Sequence, residues 1–277
     1  MLKPEWKGET MAVDKTFLKR SIPKKESLIV AYSAFTNMPY VECDPETFND
    51  QVFLFDSEED LKEFAKPYIE KKQLLRGIKY ENKGFLSFFS MLYQIGVNEL
   101  VFVNGQERNT LELQDLVNRP DFSKLPKEKQ PISNPQLQLT GLYFMQEASR
   151  PVPQKEKEGL EELQEELYAD LLKARFVVPM ELMEGPESDA EKLKNRKYRI
   201  PMLKNKNGDT VQPIFTDNLE FAKMNRENKL RALAMPFDAL AKAMVKEAKG
   251  FILNPGGYHI VLPRNLIEAL SAPAEEE

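Results

Sequence analysis

The sequence predicts an α/β (α+β) protein of two related modules, each a small mixed β-sheet packed with helices. Short apolar runs alternate with amphipathic helical patterns along its 277 residues. Because a domain takes roughly 150 residues, this length accommodates two of them. One stretch also recurs, since Val101–Asn104 falls under Phe251–Asn254 when the chain is shifted by 150 positions.

Composition and charge exclude several classes of protein. Hydrophobic residues make up 42% and charged residues 30% of the chain, which is typical of a globular protein. The net charge of -5 argues against nucleic-acid binding, whose affinity comes from neutralising phosphates. No apolar run approaches the ~20 residues that cross a membrane, no apolar signal segment lies near the N-terminus, and Cys43 is the single cysteine. We therefore expect a cytoplasmic protein that binds neither nucleic acid nor membrane.

The first module is predicted over residues 27–117, after an N-terminal extension of residues 1–26. Its strands are apolar runs, and its helices carry apolar side chains on one face. Asp56 or Ser57 caps the first helix, whose first turn is acidic. The predicted elements are strands 28–32, 38–41, 52–55 and 100–103, helices 57–66 and 83–95, a turn at Asn104-Gly105 and a closing segment 111–117.

A linker is predicted over residues 118–158, where prolines punctuate a stretch rich in Lys, Glu, Gln and Ser. It contains an apolar island at residues 137–148. We expect this island to dock on a module while its flanks stay exposed and mobile.

The second module is predicted over residues 159–271, before an acidic tail of residues 272–277. The turn signal Asn205–Asp209 predicts a hairpin of residues 198–203 with 210–215. Thr216 or Asp217 caps a short helix, and Pro236 occupies the first position of another. The other predicted elements are helix 160–173, strand 176–180, a polar excursion 184–195, a helical core face 237–245, the paired apolar runs 251–253 and 258–261, and a last helix from Pro263.

Several short motifs of the second half occur in the order found in a known family. They are Phe176-Val177-Val178-Pro179, Ile200-Pro201, Pro213-Ile214-Phe215-Thr216-Asp217 and Leu253-Asn254-Pro255-Gly256-Gly257. Residues 160–270 thereby resemble the N-terminal domain of the SseB family. The first half resembles the same domain more weakly, with Asp56-Ser57 in place of Thr216-Asp217. The resemblance implies a bacterial α/β domain, first linked to enhanced serine sensitivity, without established catalytic residues.

Residues that could carry catalysis are few. His259 is the only histidine, so any catalytic triad or His-containing zinc site would depend on it. We interpret it as an ordinary side chain beside a turn, and we predict no catalytic residue, no metal site and no cofactor. The acidic residues at helix starts favour capping over a hard-cation site, and the basic run Lys192–Arg199 favours a solvated face over phosphate contacts.

A binding site, if there is one, is predicted in the second module, where the residues after strand 210–215 meet the turn after strand 251–253. Ligand crevices in α/β sheets open at strand ends, and a Gly-Gly turn allows another molecule to approach the backbone. The alternative is that the polar residues only cap a helix and the glycines only turn the chain. The candidates are Phe215, Thr216, Asp217, Asn254, Gly256, Gly257, Tyr258 and His259.

The missing nucleophile–base pair and the related modules favour a non-catalytic binding or regulatory protein whose partner is a protein. The alternative is an enzyme or small-ligand sensor that acts on an anionic metabolite.

Overall fold

The computed structural model describes residues 15–126, 129–182 and 198–272, and these have an α+β fold. The chain divides into two compact units. The first unit extends to Arg119, except for the loops Ala34–Met38 and Gln94–Gly96, which group with the second unit from Pro120 onward.

The first unit is one six-stranded sheet with helices. The strand order is β4-β1-β3-β5-β6, and β2 pairs with β3. The β3–β5 pair is parallel and the other pairs are antiparallel. The elements are α1 (Lys15–Ser21), β1 (Ser27–Ser33), β2 (Val41–Cys43), β3 (Asp50–Phe55), α2 (Glu58–Glu70), β4 (Leu75–Glu81), α3 (Phe85–Gln94), β5 (Glu99–Asn104) and β6 (Glu107–Glu112).

The predicted cap and apolar faces account for the packing of this unit. Ser57 is the N-cap of α2, and its Oγ accepts a hydrogen bond from Asp60 N at 3.1 Å. Helix α2 places Leu61 and Phe64 in a core that also contains strand residues such as Phe53 and Val101. Burial of each large apolar side chain in this core contributes about 2 kcal/mol to the stability of the unit.

The second unit also has a mixed set of strands. Its sheets have the orders β13-β12-β10-β9 and β11-β7-β8, and an antiparallel bridge from Val177 to Phe215 links β7 to the end of β10. The elements are α4 (Pro135–Ala148), α5 (Leu160–Lys173), β7 (Arg175–Leu182), β8 (Tyr198–Arg199), β9 (Leu203–Lys204), β10 (Thr210–Ile214), α6 (Asn218–Met224), β11 (Leu230–Pro236), α7 (Phe237–Ala243), β12 (Gly250–Leu253), β13 (Ile260–Pro263) and α8 (Arg264–Ser271).

Two predictions about strands need correction. The hairpin predicted from residues 198–203 and 210–215 forms only near its turn, because β9 pairs with β10 whereas β8 pairs with β7. Pro201 lies between β8 and β9 and lacks the N–H that a continuous ladder needs. The strands β4 and β11 were not predicted at all; both lie at a sheet edge and are largely exposed.

Helix boundaries also differ from the predictions. Helix α2 continues through Pro67 to Glu70. Pro236 ends β11 and is the N-cap of α7, which runs only to Ala243. Proline fits a helix start for two reasons. Its φ is fixed near the helical value, and the N–H group that it lacks would have no partner within the helix.

The apolar island of the predicted linker forms helix α4. Its buried side chains include Leu137, Leu139 and Leu142, and it packs against α5 within the second unit. The segment after α4 is tied to the end of this helix, since Lys157 Nζ donates to Glu147 O at 3.1 Å and to Arg150 O at 3.0 Å. The lysine ammonium thereby adds hydrogen bonds to carbonyl groups at and just beyond the C-terminus of α4, where the helix dipole favours a cation.

Some predicted features lie outside the described residues. They are most of the N-terminal extension, the polar excursion 184–195, the basic residues up to Lys197 and the acidic tail after Ala272. No helix in the described ranges is long and apolar enough to cross a membrane.

Candidate functional site

Two parallel strands of the second unit end side by side. β10 and β12 are paired in parallel, with Ile214 opposite Leu253. Thr216 and Asn254 therefore follow the C-terminal ends of two neighbouring strands, which is where the crevices of α/β sheets form. The sequence predicted that these two segments come together, and Thr216 N donates to Asn254 Oδ1 at 3.0 Å.

Asn254 is the centre of this arrangement. Its side chain is fully buried, and its φ of 49° lies in the left-handed region that asparagine tolerates better than most residues. Its Nδ2 donates to Thr216 Oγ1 at 2.9 Å and to Gln138 Oε1 at 3.3 Å. Its carbonyl oxygen accepts from Gly257 N at 2.9 Å and His259 N at 3.2 Å, so this one residue fixes the turn as well as the strand ends.

Asp217 caps helix α6 from within the protein. Its Oδ1 accepts from Leu219 N at 2.8 Å and from Glu220 N at 2.9 Å. Its Oδ2 accepts from Thr216 Oγ1 at 2.8 Å and from Gln138 Nε2 at 2.7 Å. Only 2% of Asp217 is exposed, so both carboxylate oxygens are satisfied by the chain itself.

Gln138 joins helix α4 to both strand ends, through the bonds to Asp217 and Asn254 described above. It is 1% exposed. Sequence reasoning missed this residue. The available signal was a polar side chain within the apolar island of the linker, which indicates a buried polar contact once the island is packed.

Glu220 lies in the first turn of α6 and is 3% exposed. Its Oε1 pairs with Lys223 Nζ, whereas Oε2 has no hydrogen-bond partner in the described part of the chain. Burial raises the pKa of this carboxyl above its ordinary value, and the Lys223 ammonium opposes the shift. A Cβ at Gly257 would lie 2.9 Å from Oε2, so glycine is needed there for close approach of this carboxylate.

Tyr258 is fully buried against helix α4. A Cβ added to Gly141 of α4 would lie 2.9 Å from the ring atom Cζ, so this glycine lets the ring pack on the helix backbone. The hydroxyl has no hydrogen bond of normal geometry, although Asn254 and Thr216 lie near it. Burial raises the pKa of the hydroxyl, and the nearby Glu220 carboxylate adds to the effect.

The eight predicted residues divide into those that share a buried cluster and those that lie outside it. Asn254, Thr216, Asp217 and Tyr258 share the buried cluster, and Gly257 touches it through Glu220. Of the remaining three, His259 contacts the cluster only through its backbone N–H, which donates to Asn254 O at 3.2 Å. Phe215 packs on Phe221 in the core, Gly256 is exposed, and His259 places its ring near Gly257 O at φ 44°.

This polar cluster, defined as Gln138, Thr216, Asp217, Glu220, Asn254 and Tyr258, is closed to solvent. Its hydrogen bonds pin α4, the start of α6 and the turn after β12 to one another, which is a structural task. Whether it also binds a ligand stays a prediction. In the described residues, no group of three His, Cys, Asp or Glu side chains is placed to hold a metal ion.

An open groove of about 400 Å³ lies elsewhere in the second unit, along β13 and between α5 and α8. Apolar side chains such as Phe144, Leu167 and Leu266 line it together with Tyr168. Val261 of β13 is 42% exposed there. The sequence offered no signal for this groove, because its walls come from elements far apart in the chain.

The comparisons with known proteins concern the same unit. Residues 156–269 match the family model described as the SseB protein N-terminal domain. No curated protein and no solved structure matches the chain.

Proposed function

We propose, from the match of residues 156–269 to the SseB N-terminal domain family model, that the chain is a non-catalytic binding protein of the bacterial cytoplasm. Its second unit takes an apolar, positively charged segment of a partner protein in the groove along β13. The observation that carries the proposal is the contrast between the closed polar cluster and the open apolar groove.

The lining of the groove supports an apolar contact. Leu167 is buried beneath the groove, whereas Val261 and Leu266 keep part of their surface exposed at its rim. An apolar groove is a typical site for a peptide segment with apolar side chains, because removal of apolar surface from water drives association. Each fully buried apolar side chain of the partner would contribute about 2 kcal/mol.

The charge beside the groove indicates a second property of the partner segment. Helix α5 begins with four glutamates that are all exposed, namely Glu161, Glu162, Glu165 and Glu166. Helical spacing places Glu161 and Glu165 beside Gln164 and Tyr168, which line the groove. A segment that combines apolar residues with Lys or Arg is therefore complementary to this surface.

A display experiment tests this proposal. A library of random peptides of about twelve residues, a length that spans a groove of this class, is selected against the folded full-length chain. We expect enriched peptides to combine apolar and basic residues. Binding of the enriched peptides should fall at least about tenfold for Val261→Glu, which places a charge in the groove, and for the double variant Glu161→Lys with Glu165→Lys.

A matched control is Leu219→Glu, at an apolar residue of α6 that is 48% exposed. This variant should bind the enriched peptides like the wild type. Equal binding by Val261→Glu, or a selection that enriches no peptide, would overturn the groove proposal.

The alternative function, a sensor of a small metabolite, is favoured by one observation. Glu220 Oε2 and Tyr258 Oη lack partners inside the polar cluster. Two carboxylates against the single ammonium of Lys223 disfavour an anion there, and a bound water meets the same need. A thermal-shift screen with amino acids, nucleotides and divalent ions separates the two functions. A dose-dependent shift that Glu220→Gln abolishes would favour the sensor.

A further inference from the structure

The strand β11 forms an edge of the second unit. It pairs with β7 over seven positions, from Leu230 opposite Glu181 to Pro236 opposite Arg175. Among the described residues, β7 is its only strand neighbour. The other edge of β11 is therefore available for pairing unless its backbone groups are satisfied in another way.

The alternation of backbone hydrogen bonds shows which residues of β11 direct their N–H and C=O groups away from β7. Val177 exchanges both of its backbone bonds with Phe215, at 2.8 and 3.0 Å, so it faces away from β11. Its partner on β11 is Ala234, which consequently directs its N–H and C=O away from β7. Two residues further along, Ala232 does the same.

The start of the strand confirms this alternation. Asn225 Oδ1 accepts from Leu230 N at 2.9 Å, and Asn225 Nδ2 donates to Leu230 O at 3.0 Å. The amide side chain thus occupies the position of a neighbouring strand and closes the edge at Leu230. Among the residues that the structure describes, none covers the central residues Ala232 and Ala234 in this way, and both are exposed.

The equivalent edge of the first unit is protected. β4 pairs with β1 over seven positions, and Ala31 O accepts from Tyr40 N on the opposite side, so Gly77 and Lys79 turn outward. A lysine on an edge strand is a common device against unwanted pairing. β11 has alanine where β4 has Lys79, and its Leu233 is 39% exposed.

We propose that β11 is a self-association site, at which the strand pairs in antiparallel register with β11 of a second copy of this chain. The two-fold axis passes through Leu233. Ala232 then forms hydrogen-bonded pairs with Ala234 of the second copy, and each Leu233 side chain meets its counterpart.

Three features favour a second copy over an unrelated strand. The register brings outward-facing residues of both copies together, as the ladder requires. It places Arg231, the single charged residue of β11, opposite Met235 of the second copy, so like charges are not opposed. The contact is isologous, which is the usual form of a homodimer interface.

The interface is short, so we expect the association to be weak. The free edge between the capped Leu230 and Pro236, which lacks an N–H, offers Ala232 and Ala234 as its hydrogen-bonding residues. Such a small contact is typical of weak association, so we expect the dimer to form at high micromolar protein concentration.

Analytical ultracentrifugation of the full chain over a concentration series tests the proposal. The wild type should change from monomer to dimer as the concentration rises. Ala234→Lys, which copies Lys79 of β4, should lower the association constant about tenfold or more. Ala232→Pro removes an outward N–H without removing a bond to β7, and it should have the same effect. Ala169→Lys on the exposed face of α5 introduces the same charge elsewhere and should leave association unchanged.

Disulfide cross-linking tests the position of the proposed two-fold axis. In a Cys43→Ser background, Leu233→Cys should form a covalent dimer when copper–phenanthroline supplies the oxidant. Directly opposed residues of a non-hydrogen-bonded pair lie about 4.5 Å apart at Cα, which is within disulfide range. Arg231→Cys lies off the axis and should not cross-link.

Three results would overturn the proposal. They are a wild type that stays monomeric throughout the series, association that persists in both Ala234→Lys and Ala232→Pro, and equal cross-linking by Arg231→Cys and Leu233→Cys. A monomeric wild type would leave the edge to a strand from another protein.

Discussion

The two units have the same arrangement of strands but use it differently. The order β4-β1-β3-β5-β6 of the first unit corresponds to β11-β7-β10-β12-β13 of the second, pair by pair and with the same strand directions. In each unit, a helix with an N-cap side chain follows the third strand of this order: α2 follows β3, and α6 follows β10. Descent of both units from one duplicated domain is our interpretation of this agreement.

The difference lies at the ends of the two parallel strands. In the first unit, Asp60 Oδ1 accepts from Gly105 N at 2.8 Å, and exposed Asp56 pairs with Lys25. In the second, Asn254 and Thr216 make the corresponding link inside the protein. One backbone design therefore supports a solvated connection in one unit and a buried polar cluster in the other, and burial decides how much each hydrogen bond contributes.

The largest expected effect comes from the equivalent asparagines. Asn254→Ala should lower the free energy of unfolding of the second unit by about 3 kcal/mol, because it leaves buried groups of Thr216 and Gln138 unpaired and puts alanine at positive φ. Asn104→Ala, at the exposed end of β5, should change stability by less than about 0.5 kcal/mol. Urea unfolding measured by circular dichroism, with hydrogen exchange to assign the unit, checks both values. Similar losses in the two variants would remove the basis of the comparison.

The two N-caps should differ by a smaller amount. Ser57→Ala should destabilise the first unit by about 1 kcal/mol, the usual loss for an N-cap. Asp217→Ala should destabilise the second unit by about 2 kcal/mol or more, because Gln138 and Thr216 also lose their acceptor. Thermal unfolding of both variants gives the comparison, and Asp217→Asn, which retains a capping oxygen, should fall between Asp217→Ala and the wild type. An Asp217→Ala loss no greater than that of Ser57→Ala would show that the buried contacts add nothing to the cap.

The elements that share local signals were predictable from sequence. Apolar runs predicted β3, β5, β7 and β12, and acidic first turns with a capping residue predicted the starts of α2 and α6. The edge strands β4 and β11 were missed because exposure on both faces removes the periodic pattern. Edge strands are specified by their neighbours more than by their own residues.

The polar cluster was only half predictable. The sequence indicated that Thr216, Asp217 and Asn254 meet, since strand ends are local features, but it described them as a surface site. Their burial depends on Gln138 and Gly141 of α4, and Gln138 precedes Asn254 by 116 positions. A contact of that separation has no periodic signature. The polar residue and the glycine within the apolar island were the available signals.

A third prediction uses pH to measure the burial of the cluster. Burial raises the pKa of the Glu220 carboxyl in the folded state, so the folded protein binds a proton there more tightly than the unfolded chain does. The stability of the wild type relative to Glu220→Gln should therefore rise as the pH falls from neutral toward 4.5, the ordinary pKa of a glutamate. We expect this change to be small, since the Lys223 ammonium opposes the shift. Urea unfolding at a series of pH values measures it. Glu59→Gln, at an exposed carboxylate of α2, controls for the loss of a charge alone, and an equal pH response in both variants would contradict the assignment to Glu220.

The last expected effect concerns one tyrosine in each unit, half-buried in the first and fully buried in the second. Tyr68 of the first unit donates to Glu42 Oε2 at 2.6 Å, whereas the Tyr258 hydroxyl makes no hydrogen bond of normal geometry. Tyr68→Phe should therefore destabilise the first unit by about 1 kcal/mol, and Tyr258→Phe should leave the second unit unchanged or stabilise it by up to about 0.5 kcal/mol, since it removes a desolvated group and keeps the ring against Gly141. Urea unfolding at neutral pH measures both changes. A loss of about 1 kcal/mol or more in Tyr258→Phe would mean that a buried water or ligand uses this hydroxyl, and the closed cluster would then have to be considered a binding site.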